Sequence, residues 1–396
     1  MAEPNDKEEY YGYRLKIYPT PEQQILIDQF IDANRYGYNW ALSECNLQEE
    51  KYNLDILEDN DYQYKYLSEY ELDKRFTQHK KIYSLLDKIP ISSYRSGIRR
   101  CVKAFKFYEQ SISNHPVFHH KKIEDRDGSS VEIRADRTYF IDNYIYISGI
   151  GNILTKINTN YKKYELKLYN TIISRNRLHQ YYFSYQIIRE KPKVQLQHKC
   201  ATIGIDLNVK KGFVLSNGKI YYRPDTSKLR NKIKDLESKC SKDRKRIDDL
   251  EKANPDKNII PSKRSLKRHN LYLKKNKKLA NIEENFIQTT TTDIIKKYYP
   301  EKIVMEDLKI EEWKSIHYIA NKIPGTAFYR CREVMQYKAN RYNIQFQLAA
   351  KDYPSSQICS CCGHRKKDYG DKIYICPICG MKIDRDINAA INLSRL

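Results

Sequence analysis

Half of the cysteines lie in one short segment whose spacing suits a metal ion. The chain has ten cysteines in 396 residues, and five of them fall between residues 359 and 379. Four of the five form two Cys-x-x-Cys pairs separated by 13 residues: Cys359, Cys362, Cys376 and Cys379. A glycine after each pair permits the tight turn that points both sulfurs at one ion. Cys361 could take the ligand position of Cys362. We favour Cys362 because it completes the Cys-x-x-Cys spacing. Four thiolates predict a closed, structural Zn²⁺ site, since no coordination position is left for a substrate.

Three carboxylates, far apart in the sequence, suit a second kind of metal chemistry. Asp206 and Glu306 each end a short apolar strand, and Asp386 opens a small-residue helix just after the second cysteine pair. An acid at the end of a buried strand is unfavourable unless it binds a cation or accepts hydrogen bonds. If the three acids converge, they can hold two Mg²⁺ ions about 4 Å apart and support phosphodiester hydrolysis.

Each of these acids has a simpler explanation when it is considered alone. A single carboxylate in such a place more often caps a helix or ends a strand. Asp307 follows Glu306 and would point to the opposite face of its strand. Asp384 is a direct competitor of Asp386, because it lies only two residues away.

The second half of the chain has the pattern of an α/β domain that could position these acids. Residues 201–208 read as a buried strand, and residues 213–222 as a hairpin with Asn217-Gly218 as its two-residue turn. A short strand precedes Glu306, residues 324–343 read as a helix, and another strand, the cysteine segment and a short helix follow. The acids therefore lie at the ends of separate elements.

The first half of the chain is predicted to contain helices between an N-terminal strand and a later group of strands. Residues 10–18 alternate as a strand, and Thr20-Pro21-Glu22-Gln23 reads as a helix start with Thr20 as its cap. Further helices are predicted over residues 62–87 and 92–112, and strands from 117 to 190. This order predicts a β-barrel-like domain with a helical insertion, with a boundary at Lys191-Pro192-Lys193.

Charge points to a polyanionic partner. With 72 Lys+Arg and 50 Asp+Glu the formal charge is +22, and residues 223–278 alone carry 20 basic and 8 acidic residues, or +12. In this stretch an amphipathic helix is predicted to break near Asn254-Pro255, and a second basic helix to start near Ser262. Such a hairpin is favoured as a phosphate-contacting element, although a solvated face remains the alternative. The sequence contains no run of about 18 apolar residues and begins with an acidic, polar segment, which argues against membrane spans and a secretory signal.

Four motifs in a fixed order closely resemble the TnpB family of transposon-encoded RNA-guided DNA nucleases, which are related to compact type V CRISPR effectors and to Fanzor proteins. They are Gly-Ile-Asp-Leu-Asn (204–208), Val-Met-Glu-Asp-Leu (304–308), Pro-Ser-Ser-Gln-Ile-Cys-Ser-Cys-Cys-Gly (354–363) and Asp-Arg-Asp-Ile-Asn-Ala-Ala-Ile-Asn-Leu (384–393). Two segments near the N-terminus, Arg-Leu-Lys-Ile-Tyr-Pro-Thr-Pro-Glu-Gln and Tyr-Asn-Trp-Ala-Leu, are similar to that family too. The resemblance therefore covers nearly the whole chain.

The resemblance implies an α+β multidomain fold. Residues 1–19 and 113–192 would form a wedge β-barrel, with residues 20–112 inserted as a helical recognition region. Residues 200–396 would form an RNase H-like RuvC nuclease domain, with a zinc ribbon inserted at 354–382. The catalytic residues carry over to Asp206, Glu306 and Asp386, because the family's third acid precedes x-Asn-Ala, as Asp386 does and Asp384 does not.

The resemblance also implies partners and a reaction. The chain would bind a guide RNA from the transposon end, recognise a short motif beside a double-stranded DNA target, and pair guide with target. One RuvC site would then cut DNA with two Mg²⁺ ions, and the protein would act as a monomer on one guide. It would work in the cytoplasm at the nucleoid of a prokaryote, or in the nucleus as a eukaryotic or viral homologue.

Three other functions stay open at this point. A nuclease-inactive, RNA-guided DNA-binding repressor should lack one of the three acids, and all three are present here. A transposase that performs strand transfer would need no RNA. A miniature type V CRISPR effector would use the same chemistry and differ in genomic context.

Overall fold

The computed structural model describes residues 8–55, 66–120, 129–156, 167–191, 199–209, 211–254, 259–307, 325–350, 353–366 and 372–396. It divides the chain into two compact units, Met1–Glu190 and Lys191–Leu396. Parts of the predicted features lie outside the described residues: 62–65 and 324 of two helices, 121–128 and 157–166 of the strand region, 192–193 of the boundary, Pro255 of the hairpin break and 367–371 of the cysteine segment.

The first unit is built on a seven-stranded antiparallel sheet with the order β2-β6-β7-β1-β5-β4-β3. Its strands are β1 (Glu8–Tyr18), β2 (Ser129–Glu132), β3 (Thr138–Ile141), β4 (Tyr144–Ile147), β5 (Gly151–Thr155), β6 (Tyr169–Arg175) and β7 (Tyr181–Glu190). The strand predicted for residues 10–18 is thus confirmed. Of the region predicted as strands, the described residues between 129 and 190 contain six, whereas residues 117–120 form none. In the described residues β2 and β3 are the two edges of the sheet, so its closure into a barrel stays a prediction.

Side chains of β1, which pairs with both β5 and β7, alternate between the two faces of the sheet. Leu15 and Ile17 face the core of the sheet, whereas Arg14 and Lys16 are exposed on the other face. On that outer face the Arg14 guanidinium lies 4.4 Å from the centre of the Tyr182 ring of β7.

Three helices lie between β1 and β2, as the sequence predicts: α1 (Pro21–Asp55), α2 (Glu69–Ile82) and α3 (Ile91–Glu109). The start of α1 is a reciprocal cap, in which Thr20 N–H donates to Gln23 Oε1 at 3.0 Å and Gln23 N–H donates to Thr20 Oγ1 at 3.3 Å. The helix predicted for residues 62–87 is shorter than expected. Ser68 and Glu71 form a capping box at its start, and Tyr83 leaves helical backbone geometry at its end, before a short 3₁₀ helix at Ser84–Lys88.

The second unit contains a five-stranded mixed sheet with the order β10-β9-β8-β11-β12. Its strands are β8 (Cys200–Asn208), β9 (Gly212–Leu215), β10 (Ile220–Tyr221), β11 (Pro300–Met305) and β12 (Gln345–Leu348). Strand β11 runs parallel to both β8 and β12, whereas β9 pairs antiparallel with β8 and β10. The predicted hairpin is present, but the two-residue turn is wrong: Ile220 pairs with Val214 and Lys219 closes the loop opposite Leu215, so three residues, 216–218, form the turn. Gly218 ends this loop with φ 83°, as is usual for three-residue hairpin loops.

Helices of this unit pack on the sheet and form the basic hairpin. They are α4 (Ser227–Ala253), α5 (Lys263–Tyr298), α6 (Gly325–Arg341) and α7 (Arg385–Leu393). Helix α4 packs against α5 through Ile233, Leu236 and Cys240, as its apolar spacing predicts, whereas Leu250 near its end is 41% exposed. Ile287, Ile294 and Ile295 of α5 join the core over the sheet.

Candidate active site and metal centre

The four predicted cysteine ligands come together as one cluster. The Sγ atoms of Cys359, Cys362, Cys376 and Cys379 all lie within 4.8 Å of one another. Two of the separations are 3.6 Å, between Cys359 and Cys379, and 3.5 Å, between Cys362 and Cys376. A tetrahedron with Zn–S bonds of about 2.3 Å has edges of about 3.8 Å, so four thiolates here fit Zn²⁺. The competing Cys361 is exposed and is not part of the group.

Local backbone geometry explains why the sulfurs converge. Gly363 and Gly380 adopt φ angles of 77° and 70°, a region in which side chains other than glycine's are strained. Their amides donate to the carbonyls of Cys359 at 2.9 Å and Cys376 at 3.0 Å. Backbone hydrogen bonds from Cys379 and Ile378 lower the pKa of Cys376 to about 6, whereas the pKa of Cys379 is raised to about 12, so Cys376 is the more readily ionised of these two thiols in the metal-free cluster.

Strand register brings two of the predicted acids side by side. Strands β8 and β11 are parallel neighbours in which Ile205 pairs with Met305. Asp206 and Glu306 are the next residues of the two chains and therefore lie side by side. Glu306 follows the end of β11 as predicted, whereas Asp206 does not end its strand: it pairs with Val214, and β8 continues to Asn208. Asp206 is buried and Glu306 is half-buried.

A close contact between helix and strand brings the third acid to the same place. A Cβ atom at Gly204 of β8 would lie 2.0 Å from the Ala390 carbonyl oxygen and 2.5 Å from the Ser394 amide nitrogen. Only glycine allows α7 to lie this close to the strand. Asp386, in the first turn of α7, is therefore held near Asp206.

The three acids form an electrostatically strained group. Burial raises the pKa of Asp206 well above its ordinary value, and the charges of Glu306 and Asp386 raise it further. Burial also raises the pKa of Glu306. Among the described residues, only the cysteine group has three or more ligand atoms all within 4.8 Å, so the three carboxylates stand further apart. The donor set consists of carboxylate oxygens, which suit a hard cation such as Mg²⁺.

Asp206→Asn should therefore stabilise the metal-free protein at neutral pH. A carboxyl whose pKa is raised by folding stabilises the native state at low pH, and that stabilisation is lost as pH rises above about 4 through the raised pKa. At pH 7 we expect the free energy of unfolding of the variant to be about 1 kcal/mol higher than that of the wild type. Between pH 4 and 7 this free energy should fall less in the variant than in the wild type. Thermal unfolding of both proteins with EDTA across this pH range measures the difference. Equal pH profiles would contradict the assignment of Asp206 as a strained, buried carboxylate.

The two competing acids have other partners. Asp384 accepts hydrogen bonds from the backbone amides of Asp386 at 3.0 Å and Ile387 at 3.3 Å, and so caps α7. Although burial raises the pKa of Asp384, hydrogen bonds from Lys211 and from these amides bring it below its ordinary value. Asp307 forms an ion pair with Arg332 of α6. The geometry therefore favours Asp386 and Glu306 over their neighbours.

Two contacts to Asp386 were not expected from the sequence. Its Oδ2 atom accepts a hydrogen bond from Asn208 Nδ2 at 2.8 Å and lies 3.0 Å from Lys211 Nζ. Both residues come from the end of β8 and the turn after it, 178 and 175 positions away along the chain. No local pattern signals such pairs.

Two buried asparagines of α7 connect the cysteine cluster to the acids. Asn388 accepts from Ser360 N–H at 2.9 Å and donates to the Ile358 carbonyl at 2.7 Å. Asn392 donates to the carbonyls of Ser355 at 2.8 Å and Ile358 at 2.6 Å. Their i,i+4 spacing in the sequence is the signal that could have identified this shared helix face.

The basic hairpin presents a charged surface. Arg230 pairs with Glu283, and Arg268 pairs with Asp243, so ion pairs tie α4 to α5. In contrast, the three consecutive basic residues of α4 are exposed: Arg244, Lys245 and Arg246. This surface is available to a polyanion. Among the described helices, none has the length and apolar character needed to cross a membrane.

Two family models match the chain. One is described as Cas12f1-like, TNB domain, and matches residues 328–393, which include the cysteine cluster and α7. The other is described as a helix-turn-helix domain and matches residues 10–52, which here form most of strand β1 and of the single helix α1.

Similar proteins carry TnpB-like names. A TnpB-like protein of Acanthamoeba polyphaga mimivirus is 21% identical over 97% of this chain and 72% of its own length. A protein of Streptomyces pristinaespiralis, provisionally named an RNA-guided DNA endonuclease, is 27% identical over 28% of this chain and 27% of its own length. The cryo-EM structure of a Cas12f1–sgRNA–target DNA complex covers 98% of this chain and 99% of its own, with 14% identity and a TM-score of 0.48. The resemblance of the chain to TnpB-like proteins is confirmed by the family models and these relatives.

Proposed function

We propose that this chain is an RNA-guided DNA endonuclease that cuts DNA at one site formed by Asp206, Glu306 and Asp386. The observation that carries the proposal is the convergence of three acids from separate motifs at one edge of a mixed sheet. A structural purpose does not require three carboxylates together, because their mutual repulsion destabilises the fold. The name of the Streptomyces relative supports the same activity.

The residues of this site have separable tasks. Asp206, Glu306 and Asp386 would hold Mg²⁺, which when bound activates water and offsets charge at the phosphodiester. Asn208 and Lys211 both contact Asp386 Oδ2, so this carboxylate is held in one orientation. Asp384 fixes the first turn of α7 and with it the direction of Asp386.

The same proposal assigns a function to each domain. Residues 200–396 would be the RuvC nuclease domain, and the cysteine segment 354–382 a ribbon that holds structural Zn²⁺. Residues 1–19 and 113–192 would be the wedge barrel, and residues 20–112 the region that recognises DNA beside the target. The partners would be one guide RNA and one double-stranded DNA per monomer, in the nucleoid or the nucleus.

Copurifying RNA tests the proposal. The full chain is purified without nuclease treatment, and the bound RNA is sequenced. We expect one RNA species with a constant scaffold end and a variable end. A DNA duplex matching the variable end, with randomised flanking bases, should then be cut with Mg²⁺ and not with EDTA. The proposal is wrong if no defined RNA binds, or if the guided complex leaves every matching duplex intact.

The exposed basic residues of α4 should contribute to nucleic-acid affinity. Reversing the charges of Arg244, Lys245 and Arg246 to Glu should flatten the dependence of log K on log[salt] by about two to three units, since each lost phosphate contact removes about 0.7–0.9. Guide-RNA binding from 50 to 300 mM KCl measures the slope. The charge-conserving triple variant Arg244→Lys, Lys245→Arg, Arg246→Lys is the control and should keep the wild-type slope. An unchanged slope in the reversed variant would make this surface a solvated face.

A further inference from the structure

A cavity of about 740 Å³ lies beside α1 in the first unit. The lining residues of α1 fall mainly three or four positions apart, so they form one face of that helix. The 3₁₀ helix at Ser84–Lys88 and the first turn of α3 line the other side. We call this space the α1 cavity, and its lining includes Gln29, Arg35, Tyr36, Trp40, Lys88 and Tyr94.

Two aromatic rings of the α1 cavity are held in fixed orientations. The Tyr36 hydroxyl lies 2.8 Å from His79 Nε2, and the Tyr36 ring packs edge-on against Tyr94 with 6.1 Å between the ring centres. The Trp40 indole packs edge-on against Phe76 of α2, with the ring centres 4.9 Å apart. Even so, Tyr36 is 40% exposed and Trp40 is half-buried. These two rings therefore keep surface that a ligand can reach, while α2 and α3 set their positions.

The charged residues of the α1 cavity favour an anionic ligand. Arg35 pairs with Asp32 at 3.1 Å, so these two charges offset each other. Lys88 is exposed, and in the part of the chain that the structure describes no carboxylate forms an ion pair with it. The adjacent Asp87 pairs with Lys80 instead, at 3.4 Å. The lining therefore carries one positive charge that is not offset, at Lys88.

Accessible aromatic rings next to such an ammonium suit a nucleotide. A nucleobase stacks on aromatic side chains through its π face, and the phosphate of the same strand is attracted to the cation. Bases inside a duplex are covered on both faces by their neighbours, so only a base outside the stack can lie on these rings. The volume of the α1 cavity is in the range that is usual for small-ligand sites.

We propose that the α1 cavity binds an unpaired nucleobase, which stacks on Tyr36 and Trp40 while an adjoining phosphate contacts Lys88. The inference goes beyond the proposed endonuclease function, since it requires neither a guide nor cleavage. It also differs from the reading of a duplex by its groove edges, because the base has to leave its stack to reach these rings.

Quenching of Trp40 fluorescence tests the inference directly. The chain has two tryptophans, Trp40 and Trp313, so Trp313→Phe leaves Trp40 as the one emitter. The full chain, freed of nucleic acid by high-salt chromatography, is titrated with a single-stranded oligodeoxyuridylate of eight nucleotides. An abasic octamer of equal charge is the control ligand. We expect the oligodeoxyuridylate to quench Trp40 and the abasic octamer to bind without quenching, because only a base can stack.

Two tyrosine variants make the result specific. Tyr36→Leu should lower the preference for the oligodeoxyuridylate over the abasic octamer by about fivefold or more, as is usual for loss of one base–aromatic stack. Tyr70→Leu makes the same change at a residue of α2 that is 77% exposed and outside the α1 cavity, so it should keep the wild-type preference.

Three results would overturn the inference. Absence of quenching at saturation, or equal quenching by both octamers, would do so even if Tyr36→Leu failed to fold. An unchanged preference in a folded Tyr36→Leu would exclude Tyr36 as a stacking platform and would also overturn it.

An oligouridylate of the same length separates the two sources of such a base, because it differs from the oligodeoxyuridylate by the 2′-hydroxyl alone. Base-dependent quenching by either strand supports the inference. Tighter binding of the oligouridylate would assign the α1 cavity to RNA, and tighter binding of the oligodeoxyuridylate would assign it to DNA.

Discussion

Glu306→Gln is expected to reduce guided DNA cleavage by about 10³-fold or more while guide and target binding stay within about twofold of wild type. The amide keeps the size of the side chain but removes the charge that would bind Mg²⁺, and effects of this order are usual when a central catalytic group is lost. Burial raises the pKa of Glu306, so a neutral amide fits this half-buried position without a penalty to folding. Cleavage under single-turnover conditions and binding in EDTA separate chemistry from recognition.

Glu301→Gln provides the matched control for this variant. Glu301 lies on the same strand, β11, and is exposed, so the same chemical change should leave cleavage at the wild-type rate. If Glu306→Gln instead bound guide RNA much more weakly, the acid would have a structural role and the site would need another third ligand. Cleavage by Glu306→Gln at the control's rate would remove this residue from the site.

Cys376→Ser is expected to lose the bound zinc and to unfold at a clearly lower temperature. Cys376 is buried and lies 3.5 Å from the Cys362 sulfur, so an alcohol here leaves three thiolates around the ion. Loss of a structural metal removes its binding energy from folding, and we expect about 2–5 kcal/mol of destabilisation in this unit. Zinc content by atomic absorption and thermal unfolding of the same samples measure both effects.

Substitution of the exposed Cys361 is the control that separates loss of a metal ligand from other effects of a Cys→Ser change. Cys361→Ser makes the same substitution two residues from the first ligand, outside the cluster, and should retain one zinc and the wild-type melting temperature. A Cys376→Ser protein with full zinc and unchanged stability would rule out the four-cysteine site. Zinc loss from both variants would mean that Cys361 is a ligand.

Loss of zinc should also lower cleavage, because the cluster and the acids share a helix. Asn388 and Asn392 of α7 hold the backbone of residues 355–360, and Ser355 Oγ lies 3.5 Å from Glu306 Oε1. Disorder of the first cysteine pair would therefore release both α7 and a contact to Glu306. In the proposed function, the cysteine cluster would thus stabilise the acid site without taking part in chemistry.

Local features of this chain were determined by its sequence alone. Thr20 and Gln23 form the predicted cap of α1 because both partners lie within one turn. The hairpin forms at the predicted place because Gly218 tolerates a positive φ, although its loop has three residues and not the predicted two. The spacing of the cysteines likewise predicted that they cluster, because a short turn joins the two cysteines of each pair.

The choice between neighbouring acids depended on tertiary structure. Asp384 and Asp386 are both plausible ligands by sequence, but Asp384 caps α7, whereas the charge of Asp386 is close enough to Asp206 to raise its pKa. The distinction depends on the close contact of α7 with Gly204, between residues nearly two hundred positions apart.

Only the tertiary structure placed Lys211 against Asp384 and Asp386. A lysine in a basic protein has many candidate partners, and charge composition cannot select one of them. The partner is decided by the turn between β8 and β9 and by the direction of α7, which are consequences of strand register and helix packing. The sequence thus determined which chemical groups this protein has and where the elements that carry them begin. Packing between distant elements decided which groups meet, because hydrogen bonds and ion pairs depend on distance in space and not along the chain.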